Sequence, residues 1–230
     1  MRRGVQKIFG ELSKTYELVN HVLTFGLDKR WRRKAARTAA EAKTGLWIDV
    51  CSGTGEMAEN LFHLAGNRGR IVALDFSPQM LSKAADKSRD RKISFALAEA
   101  SRLPFADQAC ELVTISFATR NINISREALI NYFREFHRVL KPGARFVNLE
   151  TSQPRSKLVR RLFHFYVHVA VRPLGLFLSG SKVGYTYLSR TIPRFYDPEE
   201  FAQILGQAGF SRVDLDRLFL GVAAVHTAIK

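Results

Sequence analysis

From Leu46 onward the chain alternates short β-branched or apolar runs with helical stretches, and this rhythm admits few folds. Strand-like runs near Leu46 to Val50, Arg70 to Leu74, Ile93 to Ala96, Leu112 to Phe117 and Arg145 to Leu149 are separated by helical stretches over Glu56 to Leu64, Pro78 to Lys87 and Arg126 to Leu140. Strands and helices in alternation predict βαβ units, hence an α/β, doubly wound, mostly parallel sheet. Ser77-Pro78 is a helix start by chemistry, since serine accepts from a free first-turn amide and proline lacks the amide that would go unpaired. Lys141-Pro142-Gly143 is expected to be the turn that ends the long helix. After Glu150 the rhythm breaks, resuming with a helix over Pro198 to Gln207 and then runs at Arg212 to Leu218 and Val222 to Ile229, which look like a closing antiparallel pair. That makes seven strands. The first 44 residues read as two helices, because strand character starts at Gly45. The expected organisation is one domain over 1–230, with an N-terminal helical cap at 1–44 and a basic, aromatic lid insertion at 151–196.

The net charge of +15 predicts attraction to a polyanion or an anionic surface. The charge lies in the stretch up to Lys43 and in Thr151 to Tyr196, which carries eight Lys or Arg and no Asp or Glu. Within the latter, Arg155 to Leu178 interleaves Arg160, Arg161 and Arg172 with Leu158, Leu162, Phe163, Phe165, Phe177 and Leu178. Charge and Pro173 interrupt it too often to span a bilayer, but it suits an interfacial segment whose apolar side meets lipid while arginines meet headgroups. The same residues could instead cover an active site or a dimer partner. No nucleic-acid-binding motif is present, and none is expected as a partner. The basic start runs straight into mixed polar sequence, so neither a signal peptide nor a leading anchor is indicated and a cytoplasmic location is expected. Two cysteines, Cys51 and Cys110, cannot make a disulfide framework.

The sharpest local feature is the turn Asp49-Val50-Cys51-Ser52-Gly53-Thr54-Gly55 between the first strand and a helix. Glycines there let backbone approach a ligand, and the helix start offers free amides. Twenty residues after Gly55, Asp75 ends the second strand, where a carboxylate can accept from two ribose hydroxyls. A dinucleotide fingerprint wants a third glycine, here Ala58, and Asp49 just before the turn would repel a pyrophosphate. The same carboxylate suits the ammonium of S-adenosylmethionine, which is the expected cofactor. Asp49 as a turn cap and Asp75 as a helix cap are the plainer readings. Cys51 lacks a local histidine partner for nucleophilic work. His164 and His168 are four apart, but no acidic residue or third ligand accompanies them, and no metal site is expected.

Three stretches resemble the UbiE/MenG family of quinone-ring C-methyltransferases, over nearly the whole length. Tyr16-Glu17-Leu18-Val19-Asn20 with Leu23-Thr24 and Trp31 is similar to the family's N-terminal signature, with Glu17, Val19, Thr24 and Asp28 standing where it has Asp, Met, Ser and His. Ile115-Ser116-Phe117-Ala118-Thr119-Arg120-Asn121 resembles its Ser-Phe-Gly-x-Arg-Asn. Arg138 to Arg145 through Glu150-Thr151-Ser152 is the third, with Ala144 in place of a second glycine. The resemblance implies a class I methyltransferase, Rossmann-like fold. It implies that the cofactor lies on Asp49, Gly53, Thr54, Gly55, Asp75, Phe76, Glu99, Ala100 and Ser116, with Gly53 and Gly55 under the methionine part, Asp75 on the ribose, Phe76 flanking the adenine and Glu99 facing its amino group. It further implies that Arg120, with Asn121 and Tyr16, acts on a prenylated quinol.

Methylating an aromatic carbon needs the nucleophilic carbon in line with the sulfonium methyl, and a phenolate makes that carbon nucleophilic. Arginine is too basic to be a free base, so the effect expected of Arg120 is electrostatic. The competing readings are a methyltransferase with a phospholipid headgroup or other small-molecule acceptor, and a non-catalytic basic module that binds membrane surfaces. Asn-Pro-Pro-Tyr, which marks methylation of adenine or glutamine amino groups, is absent after the fourth strand. A homodimer is left open.

Overall fold

The computed structural model describes residues 16–66, 68–89, 91–171, 173–174 and 182–230. Residues 1–15 of the N-terminal stretch, Arg172, Phe177 and Leu178 of the insertion and the side chain of Tyr16 lie outside the described residues. Two helices, α1 (Tyr16–Leu23) and α2 (Leu27–Ala39), precede β1 (Gly45–Val50). There follow α3 (Glu56–Ala65), β2 (Gly69–Asp75), α4 (Pro78–Lys87), β3 (Ile93–Leu97), β4 (Cys110–Ser116), the single turn α5 (Thr119–Ile122), α6 (Arg126–Val139) and β5 (Leu140–Thr151). The insertion supplies α7 (Lys157–Tyr166), a π-helical turn at Val167–Val171 and α8 (Lys182–Thr191), after which α9 (Pro198–Gln207), β6 (Arg212–Leu218) and β7 (Ala223–Ile229) close the chain.

The seven strands form one sheet in the order β3-β2-β1-β4-β5-β7-β6, with β7 antiparallel to both its neighbours and every other pairing parallel. The doubly wound expectation holds, and the winding reverses between β1 and β4. Alternation along β1 divides the core: Trp47 faces the alanines of α2 and Met57 and Leu61 of α3, whereas Ile48 and Val50 share the other face with Phe133 and Phe136 of α6 and Phe201 of α9. A third, smaller cluster joins Val19 and Leu23 of α1 to Val167 and Val171 of the π-turn and to Ile192. Burial of these side chains therefore fastens the N-terminal helices to the insertion as well as to the sheet.

The helix starts follow the sequence chemistry. Ser77, Ser125 and Asp197 each accept from the amide three residues on, at Met80, Ala128 and Glu200. Two boundaries differ from expectation. The long helix ends at Val139, and Lys141-Pro142-Gly143 is part of β5 rather than a turn outside the sheet, because Leu140 is already extended and pairs with Cys110. A register shift between Cys110 and Leu112 absorbs the extra length. On β4, Phe117 is not strand: its φ of 53° turns the chain sharply towards α5.

Candidate active site and family

A cavity of about 940 Å³ opens at the carboxyl ends of β1 and β4, where the winding reverses and open α/β sheets place their ligands. Its floor is the turn after β1. Gly53 and Gly55 have φ values of 56° and 85°, a region in which a side chain is strained, and a Cβ on Gly55 would stand 3.1 Å from Cβ of Ala84. Cys51 also has a positive φ, 54°, so left-handed backbone without glycine occurs directly after both strands that frame the cavity, at Cys51 and Phe117. Each costs about 1 kcal/mol, held by the surrounding sheet.

Asp75 organises the turn. One carboxylate oxygen accepts from the Gly53 amide at 2.8 Å and the other from the Ser77 amide at 2.9 Å, on a residue that lines the cavity and keeps acceptor capacity to spare. Burial raises its pKa above the usual carboxylate value, and the amides of Ser77, Gly53 and Phe76 oppose that rise. Asp49 is only 1% exposed and stands behind the turn rather than in the cavity wall. Its Oδ1 accepts from the Thr114 hydroxyl at 2.7 Å, and its Oδ2 has no hydrogen-bond partner among the described residues. Burial pushes its pKa up to about 7, against the pull of the Thr114 hydroxyl and of Arg32. A carboxyl raised in this way favours the folded state in its neutral form, so its contribution is fully present below pH ~4 and is lost as pH rises through 7, by about 4 kcal/mol for a shift of this size. The ligand-free protein is expected to lose stability between about pH 4 and 7 and to level off above that, and Asp49→Asn to flatten that slope. Parallel thermal melts that stayed equally steep would show that Asp49 is ionised throughout.

Of the residues expected from sequence, Gly53, Thr54, Asp75, Phe76, Glu99, Ala100, Ser116, Arg120 and Asn121 line this one cavity. Asp49 and Gly55 support it from behind. Arg120, in α5, is 7% exposed. Its Nη1 donates to Thr151 Oγ1 at 3.0 Å and lies 3.4 Å from Glu150 Oε1, while its amide donates to Glu150 Oε2 at 3.1 Å. Its Nε and the Asn121 Oδ1 have no partner among the described residues, and both residues face the cavity. Buried polar atoms left unpaired on two residues that line a cavity call for an explanation, and a polar ligand is one. The Cys51 thiol is held protonated by burial and by the Asp75 and Asp49 carboxylates, which removes the nucleophile reading.

Sequence reasoning missed a second group of cavity residues. Arg32 of α2 is 4% exposed and pairs with Asp28 at 2.7 Å and Glu56 at 3.3 Å, with its guanidinium carbon 5.0 Å from the centre of the Phe117 ring. His21 bridges the same carboxylates, 2.7 Å from Asp28 and 3.4 Å from Glu56. Glu56 directly follows the glycine turn, and that position was the available signal. Arg194 and Phe195, from the far end of the insertion, close another side of the cavity and left no local signal. His164 holds Gln153 at 2.7 Å, and the π-turn that carries His168 breaks the four-residue repeat which put both on one face.

The glycine cradle, the bifurcated Asp75 and the orphaned polar atoms fit an adenosyl cofactor with a charged tail. The comparisons agree. Residues 1–230 match the ubiE/COQ5 methyltransferase family. A protein of Desulfotalea psychrophila named ubiquinone/menaquinone biosynthesis C-methyltransferase is 33% identical over 227 residues, covering 99% of this chain and 90% of that one. A demethylmenaquinone methyltransferase of Roseiflexus is 35% identical over 226 residues, covering 98% and 93%. The solved structure of an S-adenosylmethionine-dependent methyltransferase of Thermotoga maritima superposes with a TM-score of 0.63 at 17% identity, over 97% of this chain and 99% of that one, and shows the shared fold. The chain belongs to the ubiE/COQ5 methyltransferase family and is an S-adenosylmethionine-dependent methyltransferase.

Proposed function

We propose that the protein methylates a ring carbon of a demethylated menaquinol or ubiquinol-type prenylquinol. The observation that carries this reading is the shared cavity: the glycine turn and Arg120 with Asn121 open onto one space of about 940 Å³, enough for a cofactor and an aromatic ring together. S-adenosylmethionine supplies the methyl group. Asp75 accepts from the ribose hydroxyls, Phe76, Glu99 and Ala100 surround the adenine, and Gly53, Thr54 and Ser116 border the sulfonium end, with Gly55 shaping the turn behind them. Arg120, held by Glu150 and Thr151, directs positive charge at the phenolate oxygen and so favours loss of the quinol proton. Asn121 orders the ring, the part that the family resemblance also gives to Tyr16, whose side chain lies outside the described residues. Ile122, Ile124 and Tyr132 give the acceptor side an apolar wall.

A prenylated acceptor resides in a bilayer, and the insertion offers a surface to meet it. Leu158, Leu162, Phe165 and Val169 form an exposed ridge at helical spacing, with Phe165 65% exposed, and Phe25 at the α1–α2 turn extends it through its ring contact with Tyr166. Arg155 and Arg161 flank the ridge and are themselves exposed. No helix among the described residues is long and apolar enough to cross a membrane. The protein therefore works from the surface of an anionic membrane. With labelled S-adenosylmethionine and a demethylmenaquinol in phosphatidylglycerol vesicles, label is expected on the quinol ring. Leu162→Asp with Phe165→Asp is expected to cut that turnover at least tenfold and leave a short-chain soluble quinol unaffected. A labelled product other than the quinol overturns the acceptor; equal loss on both substrates overturns the membrane contact.

A further inference from the structure

We propose that Arg32 and Glu56 form the receptor for the amino-acid end of the cofactor, with the guanidinium taking its α-carboxylate and the Glu56 carboxylate its ammonium. This rests on the cofactor placement of the preceding subsection. With the ribose at Asp75 on β2 and the adenine towards Glu99 beyond β3, the amino-acid end extends in the other direction along the sheet edge, over β1 and β4. Of the charged groups that line the cavity there, Arg120 is tied to Glu150 and Thr151, whereas Arg32 and Glu56 stand 3.3 Å apart with opposite charges.

A zwitterion needs both signs at one place, whereas a quinol that loses a proton needs a positive charge alone, which Arg120 supplies. Burying a guanidinium is unfavourable unless its charge is matched and its donors are used. Asp28 anchors Arg32 from behind, and among the described residues all its hydrogen bonds and ion pairs run through Nη1. The Nε–Nη2 edge of the fork has no such partner there, on a residue that lines the cavity, and an edge of that kind receives a carboxylate with two parallel bonds. Phe117 lies under the guanidinium and fixes its plane. Glu56 is held between Arg32 and His21, with oxygens 3.3 Å and 3.4 Å from them, so its position is set before any ligand arrives. Asp49 cannot make this contact, because it lies buried behind the turn. Its charge reaches an ammonium only as a field, whereas Glu56 meets it directly. The first two helices thus contribute half of a cofactor subsite whose other half is the glycine turn.

Calorimetric titration with S-adenosylhomocysteine, its decarboxylated analogue and 5′-methylthioadenosine tests the pairing without any acceptor. Arg32→Gln is expected to weaken S-adenosylhomocysteine by about 10- to 100-fold, the effect of losing a charge-assisted pair, and to leave the two analogues that lack the carboxylate unchanged. Glu56→Gln is expected to weaken S-adenosylhomocysteine and the decarboxylated amine alike by about tenfold, with 5′-methylthioadenosine unchanged. Should Arg32→Gln fail to fold, Arg32→Lys keeps a cation beside Asp28, loses the fork, and must still discriminate against the carboxylate-bearing ligand. Equal loss for all three ligands, or unaltered S-adenosylhomocysteine affinity with reduced methyl transfer, overturns the proposal. Failure of the unaltered protein to bind S-adenosylhomocysteine overturns the cofactor placement beneath it as well.

Discussion

Asp75→Ala is expected to lower the affinity for S-adenosylhomocysteine by at least about 100-fold, the largest effect of any single change on binding. Two charge-assisted bonds to a ribose diol are worth about 1.5 to 3 kcal/mol each, and both depend on this carboxylate. The same group accepts the Gly53 and Ser77 amides, so its removal also loosens the turn beneath the ligand and unpairs the start of α4. Asp75→Asn separates the two contributions, since it keeps the volume and one acceptor but offers a donor where an amide already points. Calorimetry should then give an intermediate loss, and an affinity within about threefold of the parent for either variant would show that the ribose lies elsewhere.

Arg120→Ala is expected to reduce turnover by about 100- to 1000-fold, the usual cost of deleting a group that stabilises a developing oxyanion, with S-adenosylhomocysteine affinity nearly unchanged. The same substitution strands Glu150, which is 1% exposed, without its cation. Leaving a buried carboxylate unpaired costs about 3 kcal/mol of stability, so lost activity could be lost folding. Adding Glu150→Gln distinguishes the two. In the double variant the melting temperature is expected to recover while turnover does not. Recovery of both would reduce Arg120 to a structural partner of Glu150 and transfer the phenolate contact to another group.

Much of the frame could be read along the chain because it depends on local periodicity. The strands, the helices between them and the capping residues Ser77 and Ser125 follow from side-chain alternation and from the chemistry of the first helical turn. The two misplaced boundaries arise where the sheet overrides local preference: pairing with Cys110 draws Leu140 into β5, and a left-handed residue at Phe117 cuts β4 short. Pro-Gly signals a bend, but it cannot say whether the neighbouring strand will claim the residues on either side.

For the site, sequence was informative wherever ligand-facing residues lie next to one another, as in the turn from Asp49 to Gly55, in Asp75-Phe76 and in Arg120-Asn121. It was silent where the contact partner is distant. Nothing in the spacing of Arg32, Glu56 and Phe117, or of Arg120 and Glu150, states that they meet, because ion pairs between separate elements have no period. By itself the sequence determined the doubly wound sheet, the glycine turn and the family, all of which are written in short runs of neighbouring residues. Only the tertiary structure decided that Asp49 stands behind the turn while Arg32 and Glu56 stand before it, since packing α2 and α3 against the same face of β1 is what brings those charges together and sets their exposure.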